Sequence, residues 1–111
     1  MPNREEAIAS LIHYLENGNE ADRCYAARSL GEINASNATS SLIARLRDED
    51  LDVCIDAAAA LGQIADIDSH SSLLEALKNE PDGEVKTAIT SSLGNFNHPS
   101  VVAALNELAL N

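Results

Sequence analysis

Apolar residues fall along this chain in one motif written three times. Leu11/Leu15, Leu42/Leu46 and Leu73/Leu77 are i, i+4 pairs, each set 31 residues from the next, and Leu105 follows Leu73 by 32. Downstream of the second and third pairs run Val53, Ala57, Leu61, Ile64 and Val85, Ile89, Leu93, Phe96, at i, i+4, i+8 and i+11. Such spacings put each set on one face of a helix. Each unit therefore reads as a helix A, a turn and a helix B. The dipeptides Leu30-Gly31, Leu61-Gly62 and Leu93-Gly94 mark the same place in the three B helices. A period of this size is the signature of a solenoid, in which each repeat buries its apolar face against its neighbours.

The pattern predicts an all-α, right-handed α-solenoid in one domain spanning 1–111, with repeats over about 4–33, 37–64 and 69–96 and a terminal helix over 100–110. The B helices are expected at 22–33, 52–64 and 84–96. Asp50 or Asp52 is a candidate N-cap for the second B helix, while Asn17-Gly18-Asn19 and Pro81-Asp82-Gly83 supply turns before the first and third. Glycine inside a helix costs about 1 kcal/mol relative to Ala. The three Leu-Gly glycines are therefore expected where helices approach closely. Val101, Val102, Leu105, Leu108 and Leu110 spread around much of the terminal helix. That helix is expected to cap the stack, or to offer apolar surface to a second copy or to further repeats.

Composition narrows the picture. Hydrophobic residues make up 45% of the chain but aromatic ones only 3%, so the core must be built from Leu, Ile, Val and Ala. Eighteen acidic residues against seven basic ones give a formal charge of −11. A surface so acidic is repelled by phosphate, which argues against nucleic acid and anionic membrane as partners and for a basic protein. No run of 18 apolar residues is present, and the N-terminus lacks the layout of a secretory signal. Cys24 and Cys54 sit at nearly equivalent positions of consecutive B helices. Reduced thiols in the cytoplasm are the expectation, a bridge requiring favourable facing.

No catalytic motif is found: there is no phosphate-cradling glycine loop, no nucleophile elbow and no Cys–His arrangement. His13, His70 and His98 are too far apart in sequence to form a helical ligand pair, so no metal site is expected.

The phrases Ala26-Ala27-Arg28-Ser29-Leu30-Gly31-Glu32-Ile33 and Ala57-Ala58-Ala59-Ala60-Leu61-Gly62-Gln63-Ile64 resemble the HEAT-like repeat of phycobilisome bilin lyases, Val-Arg-x-x-Ala-Ala-x-x-Leu-Gly-x-Ile. The resemblance covers about residues 5–110. It implies an armadillo-like helical scaffold that binds protein. It also carries an alternative: a bilin-lyase subunit or phycobiliprotein-handling factor, with bilin as cofactor and a phycobiliprotein or lyase subunit as partner. In such repeats the basic residue after Val often pairs with an acid near the inter-repeat turn. It is Arg23 in the first repeat, Cys54 in the second and Lys86 in the third, so the second is expected to lack that bridge.

The leading expectation is a non-enzymatic interaction module without cofactor, gripping a basic partner on a concave face lined by B helices. The side of those helices away from the stripe presents Tyr25, Arg28 and Glu32, then Asp52, Ile55, Asp56 and Gln63, then Glu84, Thr87, Ala88, Ser91 and Asn95. Tyr25, Ile55 and the carboxylates are the expected contacts. Five carboxylates fall within nine residues from Asp48 to Asp56, and Asp48, Glu49 and Asp50 form an expected acidic rim.

Overall fold

The computed structural model describes residues 3–96; the predicted terminal helix at 100–110, the self-association assigned to it and His98 lie outside them. Six α-helices alternate through the described residues: α1 (Arg4–Asn17), α2 (Glu20–Glu32), α3 (Thr39–Arg45), α4 (Leu51–Ile64), α5 (His70–Asn79) and α6 (Gly83–Leu93). No strand occurs among them, and the described residues form three helical hairpins of an α-solenoid. Short 3₁₀ turns, Ser36–Ala38 and Ile67–Ser69, lead into α3 and α5. Each A helix packs on its own B helix, while α2 lies along α4 and α4 along α6. The B helices thus form the continuous spine.

Every B helix starts at a short polar side chain. Asn19 accepts the Asp22 N–H at 2.9 Å, and the Asp22 side chain reaches back to the Asn19 N–H, closing a capping box. Asp50 Oδ1 accepts the N–H groups of Asp52 and Val53 at 3.0 and 3.2 Å, and Asp82 Oδ1 those of Glu84 and Val85 at 2.9 and 3.0 Å. Each cap satisfies otherwise orphaned donors and contributes about 1 kcal/mol. Asp50, rather than Asp52, is therefore the cap of α4. At the other end, Asn34 and Ala65, one place after Ile33 and Ile64, both turn into the left-handed region, at φ 56° and 51°. Asn adopts that conformation readily; Ala does so at a steric cost.

The repeating stripes are the core. Leu15, Leu30, Leu42, Leu61, Leu73, Ile89 and Leu93 are fully buried, with Val53 and Val85 beside them. Two of the three glycines act as expected. A Cβ on Gly31 would lie 2.8 Å from Ala60 Cα, and one on Gly62 would lie 2.9 Å from Ser92 Cα. Each glycine thus faces a small residue of the next B helix, and backbones touch almost directly. The α4–α6 seam is also pinned by the buried Ser92 hydroxyl, which donates to the Ala58 carbonyl oxygen.

Gly94 departs from the expectation. Helix α6 ends at Leu93, and Gly94 is its exposed C-cap. The final turn tightens, with Asn95 N–H donating to Ser92 O and Phe96 N–H to Leu93 O, i→i+3 bonds in place of α-helical ones. Phe96, expected inside the helix, lies beyond it and is still buried.

Candidate functional site

The acidic run after α3 is drawn into the structure before it reaches the surface. Arg23, in the first turns of α2, extends to the turn between α3 and α4. Its Nε and Nη2 each donate to an Asp48 carboxylate oxygen at 3.0 Å, while Nη1 donates to Gly18 O at 2.8 Å. Arg45 adds a contact to Asp48 at 3.5 Å. The Asp48 side chain is only 3% exposed. Burial pushes its pKa up, but the Arg23 hydrogen bonds, the Asp50 N–H and the charges of Arg23 and Arg45 outweigh burial and hold it below the ordinary carboxylate range. Asp48 therefore cannot belong to an acidic rim: its charge is spent on two arginines and joins the first repeat to the second. Asp50 is occupied as a helix cap. Of the three rim residues, Glu49 alone is fully exposed.

On the B-helix side a groove of ≈ 520 Å³ crosses α2, α4 and α6. Its floor is Ala59, Ala60, Ala88 and Ser92, and its polar lining is Arg28, Glu32, Asp56, Gln63, Ser91 and Asn95. The close helix approach at Gly31 and Gly62 shapes it. Gln63 Oε1 and Asn95 Nδ2 lie over these glycines, at 2.3 and 3.0 Å from where a Cβ would stand. Glycine therefore makes room for the carboxamide of the following repeat. Glu32, Gln63 and Asn95 hold equivalent places, and each B helix contributes a second polar side chain as well, Arg28, Asp56 or Ser91.

Arg28, Asp56 and Ser91 are brought together here. Arg28 Nε stands 3.6 Å from Asp56 Oδ2, a long contact with an exposed arginine that contributes little to stability. Asp52, Glu84 and Thr87 are exposed near the N-terminal ends of α4 and α6 and do not line the groove. Tyr25 is 64% exposed, also outside the groove. Its equivalents Asp56 and Ala88 line the groove, on the side of α4 and α6 turned to the preceding B helix. Tyr14 is exposed too, in an edge contact with His13, so Tyr25 has no such aromatic cover. Ile55 is half-buried against the core, which reduces it as a contact.

Both cysteines are free thiols. Burial, then a hydrogen bond and the charge of Asp56, push the Cys24 thiol up to about 11. Its neighbour Arg23 does not counter this, being turned to Asp48. Cys54 is buried and shifted the same way. Among the described residues no three His, Cys, Asp or Glu side chains gather as a metal site would require, and no helix is long and apolar enough to cross a membrane.

Gln63, Ala88 and Asn95 were legible as face positions, Ala59, Ala60 and Ser92 were not, and the Arg23–Asp48 clasp was legible only as a tendency of the repeat type, with its acid unidentified. The sequence model of the family described as HEAT repeats matches residues 8–94. No curated protein matches the chain.

Proposed function

Since the chain belongs to the HEAT repeat family, whose members generally bind other proteins, we propose that it is a non-enzymatic scaffold module taking a basic protein partner along its B-helix face. The observation that carries this reading is the groove across three successive B helices, lined by alanines and by two polar side chains from each hairpin. Such a floor admits close approach of a partner backbone or side chain, and the repeated polar groups offer partners to its hydrogen-bonding atoms. Exposed Asp52 and Glu84, at equivalent positions one helix apart, add negative potential beside the groove. Charges placed so act mainly on encounter rate and orientation. The module needs no cofactor in this reading, and its free thiols suit a reducing cytoplasm.

The test is the double variant Asp52→Lys/Glu84→Lys. Neither side chain caps its helix, but both are first-turn acids, so their reversal should cost each helix up to about 1 kcal/mol and leave the protein folded, while capture of the native partner falls at least about tenfold. Capture at wild-type strength would remove the acidic face from the proposal. Asp56 is unsuited to this test, because it also contacts Arg28 and helps raise the Cys24 thiol. The alternative, a bilin-lyase relative handling phycobiliproteins, rests on the repeat phrases. It requires a covalent chromophore on co-expression with a bilin and an apo-phycobiliprotein.

A further inference from the structure

The clasp made by Arg23 and Asp48 is not repeated one step along the stack. Cys54 takes the place of Arg23 in α4, and Glu80 takes that of Asp48 in the turn between α5 and α6. The second correspondence is geometric: Glu80 Oε1 accepts the Asp82 N–H at 3.1 Å, as Asp48 Oδ1 accepts that of Asp50 at 2.9 Å. Cys54 is too short to span the gap, and its Sγ donates instead to Asp48 O at 3.1 Å. The shorter side chain leaves a notch of ≈ 380 Å³ between the second and third repeats. Leu46, Leu51 and Ala76 form its apolar walls, and Cys54 and Glu80 lie along it. Leu51 is 48% exposed, unusual for a leucine in an otherwise well-buried set. Asp48, also on the lining, is already neutralised by Arg23 and Arg45, so among the described residues Glu80 is the lining acid with no ion pair. Burial first, then the charges of Asp48 and Glu80, raise the Cys54 thiol, so Glu80 is close enough for its charge to be felt at the notch.

We propose that this notch receives an arginine side chain from a partner protein, its stem against Leu46, Leu51 and Ala76 and its guanidinium on the Glu80 carboxylate. The partner would complete from outside the clasp that the chain makes internally one repeat earlier. Arginine suits the site better than lysine, because its planar fork matches a carboxylate with two parallel hydrogen bonds and its stem packs on apolar walls. Arg47 also lines the notch and repels the incoming cation, which tempers affinity. This inference is independent of the B-face groove.

The experiment is an NMR titration of the full chain with N-acetylarginine methylamide, observing backbone amides. Saturable shifts are expected at Leu51, Cys54 and Glu80, with the corresponding lysine compound at least about threefold weaker. Glu80→Gln keeps an acceptor for the Asp82 N–H but removes the charge, and should weaken the site by about tenfold. Cys54→Arg should abolish it by supplying the guanidinium internally, and Arg47→Gln should tighten it about twofold. Shifts that never saturate, map elsewhere, or persist unchanged in Glu80→Gln overturn the proposal, and that variant decides even if Cys54→Arg fails to fold. A chain that captures its partner but shows no arginine site would keep the B-face reading and lose this one.

Discussion

Arg23 and Asp48, 25 residues apart, meet through two parallel hydrogen bonds of 3.0 Å, joining the start of α2 to the turn before α4. With Gly18 O held by the same guanidinium, one side chain fixes the spacing of two repeats.

Asp48→Asn should therefore lower the melting temperature by about 5–10 °C at neutral pH, since Arg23 and Arg45 lose their counter-charge in a nearly closed site. The pH dependence follows from the depressed carboxylate. Its stabilisation is complete above the unfolded pKa of about 4 and is lost as pH falls through the lower folded value. Melting curves of both proteins should run parallel above about pH 5 and converge in acid. A constant gap down to pH 2 would place the effect elsewhere.

Gly62→Ala should destabilise by about 1–3 kcal/mol, because the added methyl meets Ser92 Cα, part of the α6 backbone, and helix propensity returns only part of the loss. Gly83→Ala is the contrast. A Cβ there meets nothing within 4 Å, so urea denaturation should show no loss and up to about 1 kcal/mol of gain.

Ala65 holds φ 51° and ψ 39° at the end of α4, where the equivalent place after α2 is Asn34. Ala65→Gly or Ala65→Asn should raise stability by about 0.5–1 kcal/mol in the same assay, by relieving the Cβ–carbonyl crowding of the left-handed region. A loss in both variants would contradict the strain.

The Cys24 thiol, pushed to about 11, should resist iodoacetamide at neutral pH. In a Cys54→Ser background its alkylation should be about 100-fold slower than in the urea-unfolded chain, and should climb steeply only above pH 9–10. Asp56→Asn should accelerate it. Equal rates in folded and unfolded protein would refute the shift.

Much of this architecture could be read in advance from local rules. The i, i+4 leucine pairs announced the A helices, and Val53-Ala57-Leu61 and Val85-Ile89-Leu93 announced the buried stripe, because helical geometry alone decides which residues share a face. The turns holding Asn19 and Asp82, and Asp50 or Asp52 as a cap, announced roughly where the B helices start; that Asn19, Asp50 and Asp82 are the caps came from the structure. The acidic run misled. Asp48, Glu49 and Asp50 look alike in a string of letters, yet one is clasped by arginine, one is exposed and one caps a helix, according to what stacks against each.

By itself, then, the order of residues determined the repeat, its helical faces, its caps and the small residues that let helices touch, since each depends on neighbours a few positions away. Which carboxylates remain free, where Gln63 and Asn95 meet across the glycines, and what the replacement of an arginine by Cys54 opens were decided only in three dimensions. Those outcomes depend on side chains 25 to 34 residues apart in sequence, brought together when hairpins stack.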